Sequence, residues 1–359
     1  MAKHICYWII SDTGSTDGTQ EIIKKFFEEK GIPGELHEDK WVDFATNRNI
    51  ALDYGYKREE FDYLWVMDAD DYLEGTPDFP EVMDADVYAM KIRSTGKNVG
   101  FRGQIFSNKN KNLKYECIVH ETIRWGEKDV VDVLDGKYYI NIRTIGSRNK
   151  DPLKFLKDAE LCLKGMEFKD EFYERYCFYA ANMYYNLECF RLAAIYYQKN
   201  IDEAPNKHVY DSLIHLAFCF WDESEKKEKI ISALNRAIDL YPERRDAYFH
   251  LARYYNQLQN FEEAYKLITK CITLDVPEDA NYYFKESLYT TLPIELLAEI
   301  LANINAFDES IGLLKFIDDK TEATEYVREN IKKVEAEKLI YFSNRTLQQE
   351  QKQIQKLEQ

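Results

Sequence analysis

Asp68, Asp70 and Asp71 fall within four residues, directly after the apolar run Tyr63-Leu64-Trp65-Val66-Met67. Carboxylates that close repel one another unless something positive lies among them, and a divalent cation holding a phosphate is the natural candidate. The run is about five residues long and bounded by charge, which predicts a short buried strand. The C-terminal end of such a strand is where open α/β sheets bind ligands. The competing reading is an acidic strand exit in an acidic protein, since 48 Lys and Arg face 64 Asp and Glu for a net charge of −16.

Other residues able to do chemistry lie on either side. Asp12 ends the apolar run Ile5-Cys6-Tyr7-Trp8-Ile9-Ile10 and opens the polar turn through Thr13-Gly14-Ser15-Thr16-Asp17-Gly18-Thr19. There it is placed to accept hydrogen bonds from a base or ribose, and the turn's N–H groups and following helix N-terminus favour anions. The bland alternative is that these residues only cap and turn. Arg48 follows Trp41-Val42-Asp43-Phe44. Its guanidinium suits a diphosphate, an aspartate of the site, or a structural salt bridge. Arg102 is either a diphosphate or acceptor contact or a plain surface charge. In Val119-His120-Glu121 a neutral imidazole is a fitting ligand for Mn2+-like ions. The carboxylate beside it is a candidate general base. Otherwise the two alternate across a strand, one buried and one solvated.

The elements that must position these groups follow from pattern. The Ile5–Ile10 run predicts a strand buried on both faces. Ile22, Ile23, Phe26 and Phe27 recur at helical spacing, with Asp17 or Thr19 as N-cap and Gly31 with Pro33 as the stop. Val87–Ile92 and Phe101–Phe106 predict a hairpin or mixed-sheet strands, Leu134–Lys137 a turn, and Tyr138–Ile142 another strand. Residues 144–152 read as a closing linker.

Three segments together resemble the inverting GT-A glycosyltransferases of the family 2 type: Asp12-Thr13-Gly14-Ser15-Thr16-Asp17-Gly18-Thr19 after a strand, Trp41-x-x-Phe44-x-x-x-Arg48-Asn49, and Asp68-Ala69-Asp70. The resemblance covers roughly residues 5–160, and Val119-His120-Glu121 is similar to a segment of the members fused to helical repeats. It implies a nucleotide-sugar donor, UDP-linked by family habit, and a divalent cation, Mn2+ or Mg2+. It makes Asp70 the direct metal ligand with His120 as a further one, and leaves Asp68 to ribose or a metal-bound water. Glu121 becomes the base that deprotonates the acceptor, with inversion. Asp71 remains either a participant or an exposed loop carboxylate. Two departures stand out. Thr144 replaces the histidine that many relatives carry two residues before the glycine at 146. The chain also starts a few residues before the family's second strand, so the domain is expected to be N-terminally shortened, which bears on catalytic competence more than on fold.

From about Lys154 the pattern becomes helical, rich in the chain's 27 Tyr and 20 Phe. Ala180, Ala181, Tyr184, Ala193 and Tyr197 recur as Leu216, Ala217, Phe220, Leu234 and Ala237, then as Leu251, Ala252, Tyr255, Ala264 and Ile268. A period of about 35 residues with small residues at helix crossings is similar to tetratricopeptide repeats. Leu297, Ala298, Leu301 and Leu314 form a looser fourth unit after a long linker over 276–293. Such repeats stack into a solenoid that binds an extended partner, buttresses the catalytic domain or self-associates.

The expected organisation is an α/β Rossmann-like GT-A domain over 1–150, tetratricopeptide-like repeats over 151–320, and a capping helix with a polar tail over 321–359. The expected activity is metal-dependent transfer of a sugar from a nucleotide-sugar to a protein, peptide or glycan acceptor. The alternative is an interaction scaffold carrying a degenerate transferase domain. A nucleotidylyltransferase is disfavoured, since no Gly-rich, Arg-containing loop follows the first strand. The charge balance argues against a nucleic-acid surface. Seven unpatterned cysteines point to a reducing compartment. No apolar run approaches the roughly 18 residues of a membrane helix, so a cytoplasmic location is expected.

Overall fold

The computed structural model describes residues 2–94, 98–203, 205–223, 226–276, 284–320 and 325–357. Two compact units divide the chain, the first built from residues 1–225 and 278–284 and the second from residues 226–277 and 285–359.

The first unit opens with β1 (Trp8–Asp12), α1 (Thr19–Lys30) and β2 (Gly34–Glu38), the two strands running parallel. Gly31 ends α1 at φ 65°, and the N–H groups of Gly31 and Ile32 turn back onto the carbonyls of Glu28 and Phe27. That left-handed cap suits glycine because no Cβ meets the following carbonyl. A Cβ on Gly34 would lie 2.3 Å from the Trp8 backbone oxygen, so only glycine lets the strands approach there. Contrary to expectation, most of β1 is only half-buried. Among the described residues its one strand partner is β2, and α1 buries no residue fully.

Next come α2 (Phe44–Tyr56), β3 (Tyr63–Trp65), β4 (Tyr72–Pro77), β5 (Val87–Ser94), β6 (Asn98–Ser107), β7 (Lys114–Glu116), β8 (Thr122–Arg124), β9 (Val131–Val133) and β10 (Gly136–Ile142). A mixed sheet runs β6–β5–β10–β4, with β3 along β6 and β9 along β5. The expected hairpin is β5–β6, antiparallel and irregular between Tyr88 and Ala89. The first part of the chain is the expected mixed α/β sheet domain, and within it the strands form a parallel pair, β1 with β2, and a separate mixed sheet that β3 joins along β6. Tyr88, Met90, Ile105, Leu134 and Ile140 fill the core of the mixed sheet.

Four helices complete the first unit: α3 (Lys154–Met166), α4 (Tyr173–Asn186), α5 (Phe190–Asp202) and α6 (Val209–Asp222). The second unit holds α7 (Lys227–Leu240), α8 (Arg245–Gln257), α9 (Phe261–Ile272), α10 (Leu292–Asn303), α11 (Phe307–Lys320) and α12 (Glu325–Leu357). Within each unit the repeat signature is local. The α4–α5, α8–α9 and α10–α11 turns each place one residue in the left-handed region, Glu188, Gln259 and Asn305, at φ 58°, 58° and 65°. The next N–H in each turn bonds back to the carbonyl of Tyr184, Tyr255 or Leu301. Ala180, Ala193, Ala217, Ala237, Ala252 and Ala264 are all fully buried, as small residues at helix crossings must be. Pro277 of the expected linker lies outside the described residues, while Pro293 occupies the first turn of α10, where its missing N–H is harmless.

Tyr176 of α4 lies close against α3, where a Cβ on Gly165 would come within 2.5 Å of its ring. Gly165→Ala is therefore expected to lower stability by about 1–3 kcal/mol through overpacking, seen as a lower denaturant midpoint.

Candidate functional site

A continuous chain of opposite charges crosses the mouth of the mixed sheet. Arg48 donates through Nε to Glu121 Oε1 and through Nη2 to Asp68 Oδ1, each at 2.5 Å. Arg102 reaches Asp68 Oδ2 at 3.4 Å and Asp71 Oδ2 at 2.7 Å. The order is Glu121–Arg48–Asp68–Arg102–Asp71.

Local structure explains the placement. Asp43 caps α2 by accepting from the Thr46 N–H at 2.8 Å, which fixes where the helix starts and hence where Arg48 points. Asn47 is buried and ties the approach to α2, accepting from the Val42 N–H and donating to the Lys40 carbonyl. Its role is to shape the chain. Asn49 exchanges two hydrogen bonds with the Tyr115 backbone, at 2.8 and 2.7 Å. That pairing slides the Tyr115 ring under Arg48, with 5.3 Å from guanidinium carbon to ring centroid. Asp68 and Asp71 bracket a tight turn between β3 and β4, closed by the Asp71 N–H on the Asp68 carbonyl. Arg102 comes from β6, so the sheet register sets its reach.

Burial alone would raise the Asp68 carboxyl, but Arg48 and Arg102 outweigh it and hold the group below the usual carboxylate range. Asp71 goes the other way. Its side chain is almost wholly buried, burial raises its pKa against the pull of Arg102, and its Oδ1 has no partner among the described residues.

Asp70 stands outside the chain. Among the described residues its carboxylate meets only the Gly146 N–H, at 3.4 Å, while the exposed Arg143 bonds its backbone carbonyl instead. Asp12 also lies apart and makes none of its hydrogen bonds to the charge chain. Ser15 donates to it twice, at 3.1 and 2.5 Å, and Gln20 once, at 2.6 Å. Burial pushes this carboxyl up, yet those bonds bring it below its ordinary value. It organises the turn over residues 12–20.

The His120 side chain packs against α4. Its ring stacks on Tyr179 of α4 with centroids 4.0 Å apart, and its Nε2 is buried without a partner among the described residues. Burial, with Arg175, Arg148 and Lys154 nearby, pushes its pKa down to about 3, so the ring is neutral. The structure thus brings Arg48, Asp68 and Glu121 together with Arg102. It does not join His120 to Asp70, and among the described residues no three His, Cys, Asp or Glu side chains gather as a metal-holding group. Tyr115 and Asn49 carry no chemical signal of their own. Their roles appear only when β7 meets α2.

Residues 7–126 match the family model described as Glycosyl transferase family 2, a domain that supports glycosyltransferase activity in general. No curated protein matches the chain. Among solved structures, a MamA structure is 17% identical over 48% of this chain and 92% of its own, with a TM-score of 0.38. A tetratricopeptide repeat protein from Parabacteroides merdae is 13% identical over 51% of this chain and 67% of its own, with a TM-score of 0.43. A thermophilic tetratricopeptide repeat protein from Thermus thermophilus is 12% identical over 50% of this chain and 90% of its own, with a TM-score of 0.38. Among the described residues no helix is long and apolar enough to cross a membrane.

Burial drives His120 and His208 down to about 3 and His215 to about 4. Unfolded imidazoles titrate near 6.5, so these folded-state values lie below the unfolded one. Their contribution to stability is complete above about pH 6.5 and is lost as pH falls toward 4, by up to about 1.4 kcal/mol per pH unit for each ring. Urea unfolding across that window is expected to show the slope, and His208→Gln is expected to remove one ring's share of it.

Proposed function

We propose that the chain is a metal-dependent, inverting glycosyltransferase that takes a sugar from a nucleotide-sugar, UDP-linked by family habit, to a protein, peptide or glycan acceptor. The observation that carries this reading is the charge count at the end of β3. Glu121, Asp68 and Asp71 face only two guanidiniums, and Asp70 adds a further carboxylate with no cationic partner on it among the described residues. A nucleoside diphosphate brought to that place is repelled unless a cation comes with it.

Asp70 fits that cation, Mn2+ or Mg2+, because hard divalent ions take carboxylate oxygen and its oxygens are not claimed by arginine. His120 is neutral and therefore chemically able to ligate, but in this arrangement its ring belongs to the stack with Tyr179. A bound ion supplies Lewis-acid charge neutralisation to the departing diphosphate. Asp68 and Asp12 are assigned to the nucleoside side, and Arg48 and Arg102 to the phosphates once a ligand competes for them.

Glu121 is the base. It receives the proton of the acceptor hydroxyl as the acceptor oxygen bonds to the anomeric carbon. The bond from that carbon to the phosphate oxygen breaks on the opposite face, which inverts the centre. Arg48 at 2.5 Å orients the Glu121 carboxylate. The helical repeats are assigned to presenting the acceptor or a partner protein.

The competing reading, an interaction scaffold with an inactive transferase domain, draws on the same salt bridges, since both arginines are already occupied by carboxylates. Titration calorimetry with UDP separates the two. Binding that requires Mn2+ and is lost in Asp70→Ala is expected. Binding indifferent to the metal, or unchanged in that variant, sinks the transferase reading. With a working donor, Glu121→Gln is expected to lower kcat by about 10²–10⁴-fold while donor KM stays near its original value.

A further inference from the structure

Helix α4 belongs to the helical part of the chain, yet it grips the loop that carries Glu121. Three contacts reach back from it. Arg175 donates through Nε and Nη2 to the His120 carbonyl, at 3.1 and 2.8 Å. The Tyr176 hydroxyl accepts from the Ile118 N–H at 3.2 Å. Tyr179 stacks on the His120 ring, tilted by only 7°. Cys117, Val119, Tyr176, Cys177 and Ala180 share one hydrophobic cluster beneath them.

The loop needs such a grip. Cys117 and His120 both adopt left-handed backbone, at φ 75° and 53°. For residues with a Cβ this conformation is unfavourable, and it persists only where the surroundings over-determine it. Arg175 is itself unusual. It is buried, and among the described residues no carboxylate lies within ion-pair distance of it. Its nearest side-chain partners are His208 Nε2 and the Tyr179 hydroxyl, each at 3.4 Å. A buried guanidinium without a carboxylate is a poor device for stability alone. Its two best hydrogen bonds go to the carbonyl directly before Glu121.

We infer that Arg175 is a positioning residue for the transfer reaction: α4 clamps the left-handed turn at His120 and thereby delivers the Glu121 carboxylate to Arg48. The inference rests on the assignment of Glu121 as base. It makes the first helical pair part of the catalytic machinery, in addition to any role in presenting the acceptor.

Two measurements on the full-length chain test it together. Amide hydrogen exchange over residues 113–123 is compared between wild type, Arg175→Ala, Arg175→Lys and Tyr176→Phe, and steady-state transfer is measured on the same preparations. The expected result for Arg175→Ala is faster exchange confined to that segment and a kcat lower by about 10–100-fold, the size of effect that a shift of about 1 Å in a reacting group produces. Donor KM and Mn2+-dependent UDP affinity are expected to stay within about twofold, because the donor side keeps its contacts. Arg175→Lys retains one donor to the carbonyl and is expected to recover part of kcat, and Tyr176→Phe to show the same pattern more weakly. A lower melting temperature with unchanged kcat per folded molecule assigns Arg175 to stability alone and overturns the inference. Normal turnover by Arg175→Ala from an active wild type overturns it without touching the transferase reading. A wild type with no transfer activity overturns both.

Discussion

The Arg48 guanidinium joins Glu121 and Asp68 at 2.5 Å on each side, and it does so from a helix whose start is fixed by Asp43. Each of its partners arrives from a different part of the first unit: Asp68 from the turn after β3, Glu121 from the loop before β8, and Tyr115 from β7. Their common geometry therefore requires α2, the mixed sheet and the small β7–β8 hairpin to be in register at once. Asn49 supplies the coupling, because its two bonds to the Tyr115 backbone lock β7 against α2. The first helical pair adds the last constraint through the His120 turn. A buried ion pair is weak evidence for stability in itself, since desolvation offsets much of the attraction. A chain of five alternating charges is better read as orientation. Each group has its remaining freedom removed by the next.

Much of this was legible in the sequence because the relevant signals are short-range. The turn after β1 and the acidic turn after β3 are each written within about ten residues, where local propensity decides the outcome. The repeat helices were legible for the same reason, as alanines at crossings recur at a fixed period. What escaped is long-range. Arg48 and Glu121 lie 73 positions apart, and nothing local to either reveals their contact. The surroundings of His120 are equally hidden from its neighbours in sequence. Its stacking partner comes from a helix of the other structural class, next to an arginine 55 positions further on. The half-buried state of β1 escaped for a related reason. An apolar run suggests two covered faces, whereas coverage depends on which strands hydrogen-bond to it.

Charge is distributed to a purpose that the net value of −16 conceals. The carboxylates gather on the sheet side of the His120 loop, and the cations Arg175, Arg148 and Lys154 gather near its imidazole. Arg148 is itself paired with the buried Asp158 and lies over the Phe44 ring at 4.1 Å, one helical turn before Arg48 on α2. The loop thus runs between a negative and a positive region. His120 stays neutral because burial and these cations act in the same direction, and that keeps the turn free of a charge that would repel Arg175.

This arrangement also sets what a ligand must do on arrival. Arg48 and Arg102 each bond two carboxylates and share Asp68, so a diphosphate that takes over those hydrogen bonds displaces Asp68. Displacement without compensation leaves Asp68 desolvated beside Asp70 and Asp71, the costly case of a buried charge that has lost its partner. On the proposed reading, a divalent cation arriving with the diphosphate would remove that penalty, because it would offer the displaced carboxylate a new counter-charge in the same place. Metal and donor would then be coupled through these salt bridges, each favouring the other's binding equally by linkage. Glu121 lies on the other side of Arg48 from Asp68 and next to the carbonyl that Arg175 holds, so the proposed base stands apart from the groups proposed to meet the phosphates.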